Sequence, residues 1–389
     1  MAESFLLVGL VGAALFYGYL TNEFFKRTKI PDVLLLIAAG ILIGPVTHLV
    51  EPSDLAGAAP FIGALALAII VFEGGLKTNA LKLARVVGEA SWFTVLTSLL
   101  TVAVVALAAL SFEWGLPQAL LLGAVLAGTS YEIIAPMVRS LSLSDKAKNL
   151  LNLESAFNGV LAIVTAVAAI QFVKMNALDL QFSAQLFASS LIVGIVFGGV
   201  AAFLWLKAIE PFKGKQFAYL LTLASVFLLY GLTEYASGNG VVSVLVYGVV
   251  LSNAHEFVKK KALLDPAIPF FQTEVAFLVK TLFFIFMGVI VDLNAFTNAV
   301  IVLALACFSA IVLTRFAATR LLTRLDEKML ADENAVWSIL PRGLTAMVLA
   351  SVPASQGIVV PGLVEVTVVV VLATNLFTTA AVFALEKSH

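Results

Sequence analysis

Charged side chains are scarce in this 389-residue chain: Asp, Glu, Lys and Arg make up 12% of it, against 61% hydrophobic residues. A soluble globule carries roughly 25% charge to cover its surface, so a solvated shell around a core is excluded and a polytopic membrane protein is expected. The single cysteine, Cys307, sits inside an apolar run, which excludes a disulfide framework. His48, His255 and His389 are scattered near connections or the terminus without metal-ligand spacing, and no cofactor is expected. No Gly-x-x-x-x-Gly-Lys-Ser/Thr loop occurs, so ATP-driven pumping is not expected. One Cys and three peripheral His supply no nucleophile–base set, and the chain is not read as an enzyme. The basic residues are accounted for by membrane topology, which leaves no basis for nucleic-acid binding.

What the chain has in abundance is apolar length. With about 20 apolar residues needed per crossing, about thirteen spans are expected, beginning near residues 5, 31, 58, 86, 117, 147, 184, 217, 240, 269, 298, 335 and 362. The ninth, around Val241 to Ser252, is short. The first apolar run lacks a basic leader and continues into a full span, so no cleavable signal peptide is expected. Neither a soluble domain nor a regulatory tail is expected, because Glu386 to His389 follow the last span directly. Lys26, Arg27 and Lys29; Lys77, Lys82 and Arg85; Arg139, Lys146 and Lys148; Lys207, Lys213 and Lys215; Lys259 to Lys261; Arg315, Arg320, Arg324 and Lys328; and Lys387 fall in alternate connections or at the C-terminus. The opposite connections hold Lys174. By the positive-inside rule the N-terminus is outside and the C-terminus cytoplasmic, in an inner or plasma membrane. The longest connection, Thr314 to Asn334, reads as an amphipathic cytoplasmic helix with Arg320, Arg324 and Lys328 on one face.

Against this background a few polar residues stand where lipid should exclude them. Glu73, Glu132 and Glu154 are acids within spans, and Lys280 and Arg342 are bases within spans. An intramembrane charge costs roughly 2.5–3.5 kcal/mol on insertion scales and lines a polar pathway as a rule. Two spans are also interrupted: the fifth by Gly128-Thr129-Ser130 with Pro136, the twelfth by Pro341-Arg342-Gly343. They are the fifth of the first six and the fifth of the last six, which suggests two repeats of six joined by the seventh span. Interrupted helices in corresponding halves point to a transport site near the bilayer midplane. Glu154 and Asn158, four residues apart on a helix, share a face with Ser155 beside them. Against Thr129 and Ser130 that face offers hydroxyls, freed carbonyls and a carboxylate: hard oxygen ligands for a small cation. A carboxylate that holds a cation or a proton in turn couples the two fluxes.

The chain resembles the monovalent cation:proton antiporters of the archaeal and bacterial sodium/proton type. The resemblance is carried by Ile30-Pro31-Asp32-Val33-Leu34-Leu35-Leu36 into Gly40-Ile-Leu-Ile-Gly44-Pro45, by Phe72-Glu73-Gly74-Gly75-Leu76, by Leu153-Glu154-Ser155-Ala156, by Lys280-Thr-Leu-Phe-Phe-Ile-Phe-Met-Gly288 and by Pro341-Arg342-Gly343. It implies an all-α polytopic membrane protein of about thirteen spans in two inverted six-helix repeats with crossed discontinuous helices, moving by elevator-like alternating access. A core bundle would come from about 58–173 and 269–385, and a dimerisation part from about 1–50 and 181–252. The function implied is exchange of a monovalent cation, Na+, K+ or Li+, for protons in a homodimer. By the same resemblance Glu154 would pair with Arg342 and steady Asn158, while Glu73, Thr129 and Ser155 would surround the ion.

Two positions depart from the family pattern. Its members usually carry an aspartate directly after the position of Asn158, where this chain has Gly159, and many carry another where it has Ser130. Ser130 is read as a ligand, and Glu132 is expected either to replace the missing proton carrier or only to cap or pair with the other interrupted helix. Lys280 either faces an acid in the interior or snorkels. The departures leave three other readings: a transporter of an anion or other solute on the same scaffold, a transport-inactive homologue, and an inactivated variant.

Overall fold

A run of Val or Ile that would favour a strand in water becomes helical in lipid, where every backbone group needs a partner within its own segment. The computed structural model describes residues 4–51, 55, 59–78, 89–174, 180–212, 215, 217–254 and 267–387. Its regular elements are all helical among these residues, including Leu363–Lys387, which holds the β-branched run Val368 to Val371. In chain order the α-helices are α1 (Ser4–Thr28), α2 (Asp32–Ile41, continued by a π-helical turn to Val46), α3 (Ala59–Lys77), α4 (Glu89–Leu110), α5 (Leu116–Ala127), α6 (Tyr131–Ser140), α7 (Asp145–Lys174), α8 (Leu180–Ala208), α9 (Ala218–Tyr235), α10 (Gly240–Ser252), α11 (Ala267–Ile290), α12 (Asn298–Leu325), α13 (Glu333–Ser338), α14 (Leu344–Ser355) and α15 (Leu363–Lys387). A helix or an interrupted helix stands at every span position read from the sequence. Among the described residues eight helices are long and apolar enough to cross a membrane, and Asp32–Val46, Gly240–Ser252 and Leu344–Ala354 are shorter apolar helices. Lys82, Arg85, Lys213, His255, Lys259 to Lys261 and His389 lie outside the described residues.

The chain forms two compact units: Met1–Gly63 with Gly88–Ile170 and Lys280–His389, and Ala64–Val87 with Gln171–Val279. This grouping puts α1 and α2 with α4 to α7, whereas the expected functional division set about 1–50 beside 181–252. In the first unit α5 is central, with Leu121 to Ala127 all buried, and it packs on α4 and α14. Helices α2 and α11 approach at Gly40 and Gly288: a Cβ on either would lie 2.8 Å from the other's Cα. Only small residues allow such contact, which in lipid supplies van der Waals packing where hydrophobic driving force is absent. The Gly40→Leu variant is therefore expected to lose about 1–3 kcal/mol of stability through overpacking, read as a lower melting temperature of detergent-purified protein. An unchanged melting temperature would show that this contact is dispensable.

In the second unit α10 is short because it is wrapped by protein: Gly240 to Leu245, Tyr247, Gly248 and Leu251 are buried. Its start is capped by Asn239, whose side chain accepts from Val242 N–H at 3.0 Å, and α8 lies against it.

The connection read as an amphipathic helix over Thr314 to Asn334 is corrected by the structure. Its first half continues α12 without a break to Leu325, and a 3-10 turn, Glu327–Asp332, leads to α13. Thr314, Arg315 and Thr319 are buried, so this stretch packs against protein. Arg320 still faces outward, bridging to Glu333 at 3.2 Å. The side chain of Lys328 lies outside the described residues.

Candidate functional site

Helix α5 stops at Ala127, and Gly128 and Ser130 are extended (φ −72°, ψ 131°; φ −90°, ψ 104°) before α6 resumes at Tyr131. Pro136 lies inside α6 and is no part of the break. The second break runs from Ile339 to Gly343, between α13 and α14, and Pro341 disfavours a helical residue before it. The two breaks touch. Ser130 N–H donates to the Pro341 carbonyl at 2.9 Å, and a Cβ on Gly343 would lie 2.6 Å from Ser130 Oγ, so glycine is what lets the strands meet.

Backbone groups released by unwinding must find new partners in a dry interior. Here α15 supplies them: Leu340 N–H donates to Thr378 Oγ1 at 3.3 Å, Arg342 N–H to Thr374 Oγ1 at 3.2 Å, and Asn375 Nδ2 to the Arg342 carbonyl at 2.7 Å. Arg342 Nη1 donates to the carbonyl of Ala127 at 2.7 Å, closing the open end of α5. Thr374, Asn375 and Thr378 were missed in the sequence, although three polar residues ending a valine run were the available signal.

Glu154 and Asn158 on α7 are buried beside these breaks, as is Ser155. Glu154 Oε1 accepts from Arg315 Nη1 at 2.7 Å, Asn158 Nδ2 at 3.1 Å and Thr129 Oγ1 at 3.4 Å. Asn158 Oδ1 in turn accepts from Ser98 Oγ at 2.6 Å. Ser155 Oγ donates to Asn152 O of its own helix at 3.1 Å. The expected Glu154–Arg342 ion pair is corrected: Arg315 of α12 is the partner, at 2.7 Å. The reason is that Arg342 is occupied by α5, while Arg315 is held from three sides, by Glu154, by Nε donation to Val336 O at 3.0 Å, and by the Phe93 ring 5.3 Å away. Sequence reading counted Arg315 among the charges that set orientation, because no local pattern separates a buried arginine at a span end from an exposed one. Hydrogen bonding of Ser144 to Asp332 and of Lys146 to Asp326 clasps the start of α7 to the α12–α13 connection, which keeps these elements in register.

Glu154 pairs with Arg315, while Arg342 is held at the same break by Ala127 O; the formal charges of these three side chains, −1 and +2, sum to +1. Glu154 Oε2, Arg315 Nη2 and Arg342 Nε are buried without hydrogen-bond partners among the described residues.

Glu132 and Glu73 both stand near a lysine. Lys280 Nζ lies 2.8 Å from Asp32 Oδ2 and 3.7 Å from Glu132 Oε2, so Lys280 faces acids in the interior and does not snorkel. Asp32, the first residue of α2, entered the sequence analysis as part of a motif and was given no site role, because an acid at a helix start is ordinarily a solvated first-turn residue. Glu73 belongs to the second unit, where it is buried on α3 and Lys77, one turn on, reaches it at 2.5 Å. In that unit Tyr219 donates to Gln272 Oε1 at 2.9 Å and Gln272 donates to Ile69 O at 3.1 Å. Thr129, Asn158 and Arg315 come together around Glu154, and Ser130 and Glu132 flank the same break.

The family description "sodium/hydrogen exchanger, transmembrane" matches residues 11–386. The chain belongs to the sodium/hydrogen exchanger family. This member of the family is similar to the K(+)/H(+) antiporter NhaP2 of Shewanella sp. strain MR-4, at 27% identity over 257 residues, 64% of this chain and 44% of that protein. It is also similar to the low-affinity Na(+)/H(+) antiporter NhaS1 of Synechocystis, at 25% identity over 344 residues, 84% of this chain and 63% of that one. The match thus spans under half the length of the NhaP2 relative. In fold it is similar to the sodium proton antiporter MjNhaP1 of Methanocaldococcus jannaschii at pH 8, with a TM-score of 0.80 and 20% identity over 97% of this chain and 100% of that one. As a sodium/hydrogen exchanger family member it is a multi-pass membrane protein built to the all-helical plan expected from the sequence.

Proposed function

We propose that this sodium/hydrogen exchanger family member is a secondary active transporter that exchanges Na+, K+ or Li+ for protons by alternating access in the inner or plasma membrane. The observation that carries the reading is the contact of two unwound helices, Ser130 to Pro341, next to the buried Glu154 and the half-buried Glu132. Freed backbone and hydroxyl oxygens there suit a partly dehydrated monovalent cation, and a carboxylate can take up a proton in its place. Glu132 is the proton carrier in this proposal, since Glu154 Oε1 already accepts three hydrogen bonds. Thr129, Ser130 and Ser155 supply ion ligands, and Glu154 with Asn158 and the arginines is the structural node. The N-terminus is outside and the C-terminus cytoplasmic, the protein is a homodimer, and a mobile core works against a dimerisation part.

The test is proton counterflux into proteoliposomes under an imposed Na+ or K+ gradient, followed with an internal pH dye. The parent is expected to show flux, and Glu132→Gln to lower its rate by about a hundredfold or more, the usual worth of a proton-transfer group. A flat trace with every monovalent cation removes the exchanger reading, and a Glu132→Gln variant at the parent rate moves the proton to another carboxylate.

A further inference from the structure

We propose that Asp32 is a positioning residue for exchange: it holds the Lys280 ammonium off Glu132, so that the Glu132 carboxylate stays open to the exchanged ions. The inference rests on the reading of Glu132 as proton carrier. Three charged groups of the first unit meet here, Asp32 on α2, Glu132 on α6 and Lys280 on α11. Two carboxylates compete for one ammonium, and they do not share it equally. Lys280 is within hydrogen-bond distance of Asp32, at 2.8 Å, and beyond it from Glu132, at 3.7 Å. The side chain of Asp32 is 5% exposed and that of Glu132 32% exposed. A charge-assisted hydrogen bond strengthens as solvent is excluded, so the buried acid takes the ammonium and the wetter acid keeps it only at 3.7 Å. That division is what an exchange carboxylate needs. A carboxylate in full contact with a fixed ammonium is already neutralised and has little affinity for a mobile cation, whereas one beside an ammonium that another acid neutralises keeps its own charge for the mobile ion.

Removing the Asp32 charge reverses the division. In Asp32→Asn the ammonium loses its hydrogen-bonded carboxylate, and a side-chain rotation brings it from 3.7 Å to contact with Glu132. The fixed cation then occupies the place of the mobile one. The expected result in proteoliposomes is a rise of at least tenfold in the apparent KM for the transported cation, with the maximal rate at saturating cation retained within a few fold. Asp32→Glu keeps the charge and is expected to stay near the parent. The discriminating variant is Asp32→Asn/Lys280→Gln, which removes the competing ammonium together with its partner and is expected to bring the KM back to within about threefold of the parent. A merely structural pair gives the opposite pattern: both single and double variants lose yield and melting temperature together, and the KM of whatever protein folds does not change. Size-exclusion profile and melting temperature, measured on each variant, separate loss of fold from loss of affinity. An Asp32→Asn KM equal to the parent's, or a double variant as impaired as the single one, overturns the inference. If Glu132→Gln transports normally, the assignment of the proton carrier has failed instead, and the two failures are read from different variants.

Discussion

Arg315→Met is expected to be the most damaging single substitution in the chain, lowering stability by about 3–5 kcal/mol, the range for a buried ion pair that loses one partner. Glu154 has no exposure, and Arg315 is its ion-pair partner at 2.7 Å. With the guanidinium gone, a carboxylate in a dry interior keeps only the Thr129 and Asn158 hydrogen bonds, and the α12–α13 contact through Val336 O is lost as well. The companion variant separates charge from packing. Glu154→Gln/Arg315→Met removes both charges and is expected to recover most of the loss, because replacing both members of a buried pair by groups of similar shape is often neutral. The measurement is melting temperature in detergent. If Arg315→Met melts with the parent while Arg342→Met collapses, Arg342 is the true counter-charge and the pairing drawn here is wrong.

Gly159→Asp is expected to raise apparent cation affinity in the exchange assay by about a hundredfold. A Cβ on Gly159 meets nothing within 4 Å, so the fold has room for the side chain. Gly159 also adjoins the first break: its Cα lies 4.0 Å from where a Cβ on Gly128 would be. A carboxylate there would change the local charge formed by Glu154, Arg315 and Arg342 from +1 to zero. At roughly 6 Å from a bound cation and an effective dielectric of about 20, one added negative charge contributes about 3 kcal/mol, and each 1.4 kcal/mol is about tenfold in affinity. The helical cost of aspartate is small beside this, since glycine is the poorer helix former. Gly159→Asn, of the same size without the charge, is the control and is expected to leave affinity near the parent. Equal effects from the two variants would mean that shape, not charge, governs the position.

Helix type and position were legible in the sequence because lipid imposes them locally. An apolar run of sufficient length has to be a helix, so a helix or an interrupted helix stands at each of the thirteen expected span positions, and the two breaks stand where Gly128-Thr129-Ser130 and Pro341-Arg342-Gly343 put them. The pairing of Glu154 with Asn158 was legible for the same reason, since four residues along a helix is one face. The errors fall on charges. Arg342 was paired with Glu154 and Arg315 was left outside, while Asp32 was given no role and Lys280 was left between an interior acid and snorkelling. Each of these depends on which distant helix lies opposite, separated by 161 residues for Arg315 and Glu154 and by 248 for Lys280 and Asp32.

By itself, then, the sequence determined that the chain is a bundle of membrane helices with two of them broken in matching places, because the hydrophobic effect and backbone hydrogen bonding act over one span at a time. Only the tertiary structure decided which buried base meets which buried acid. Coulomb energy in a low-dielectric interior depends on separation in space, and no spacing along the chain encodes that for residues on helices far apart in sequence.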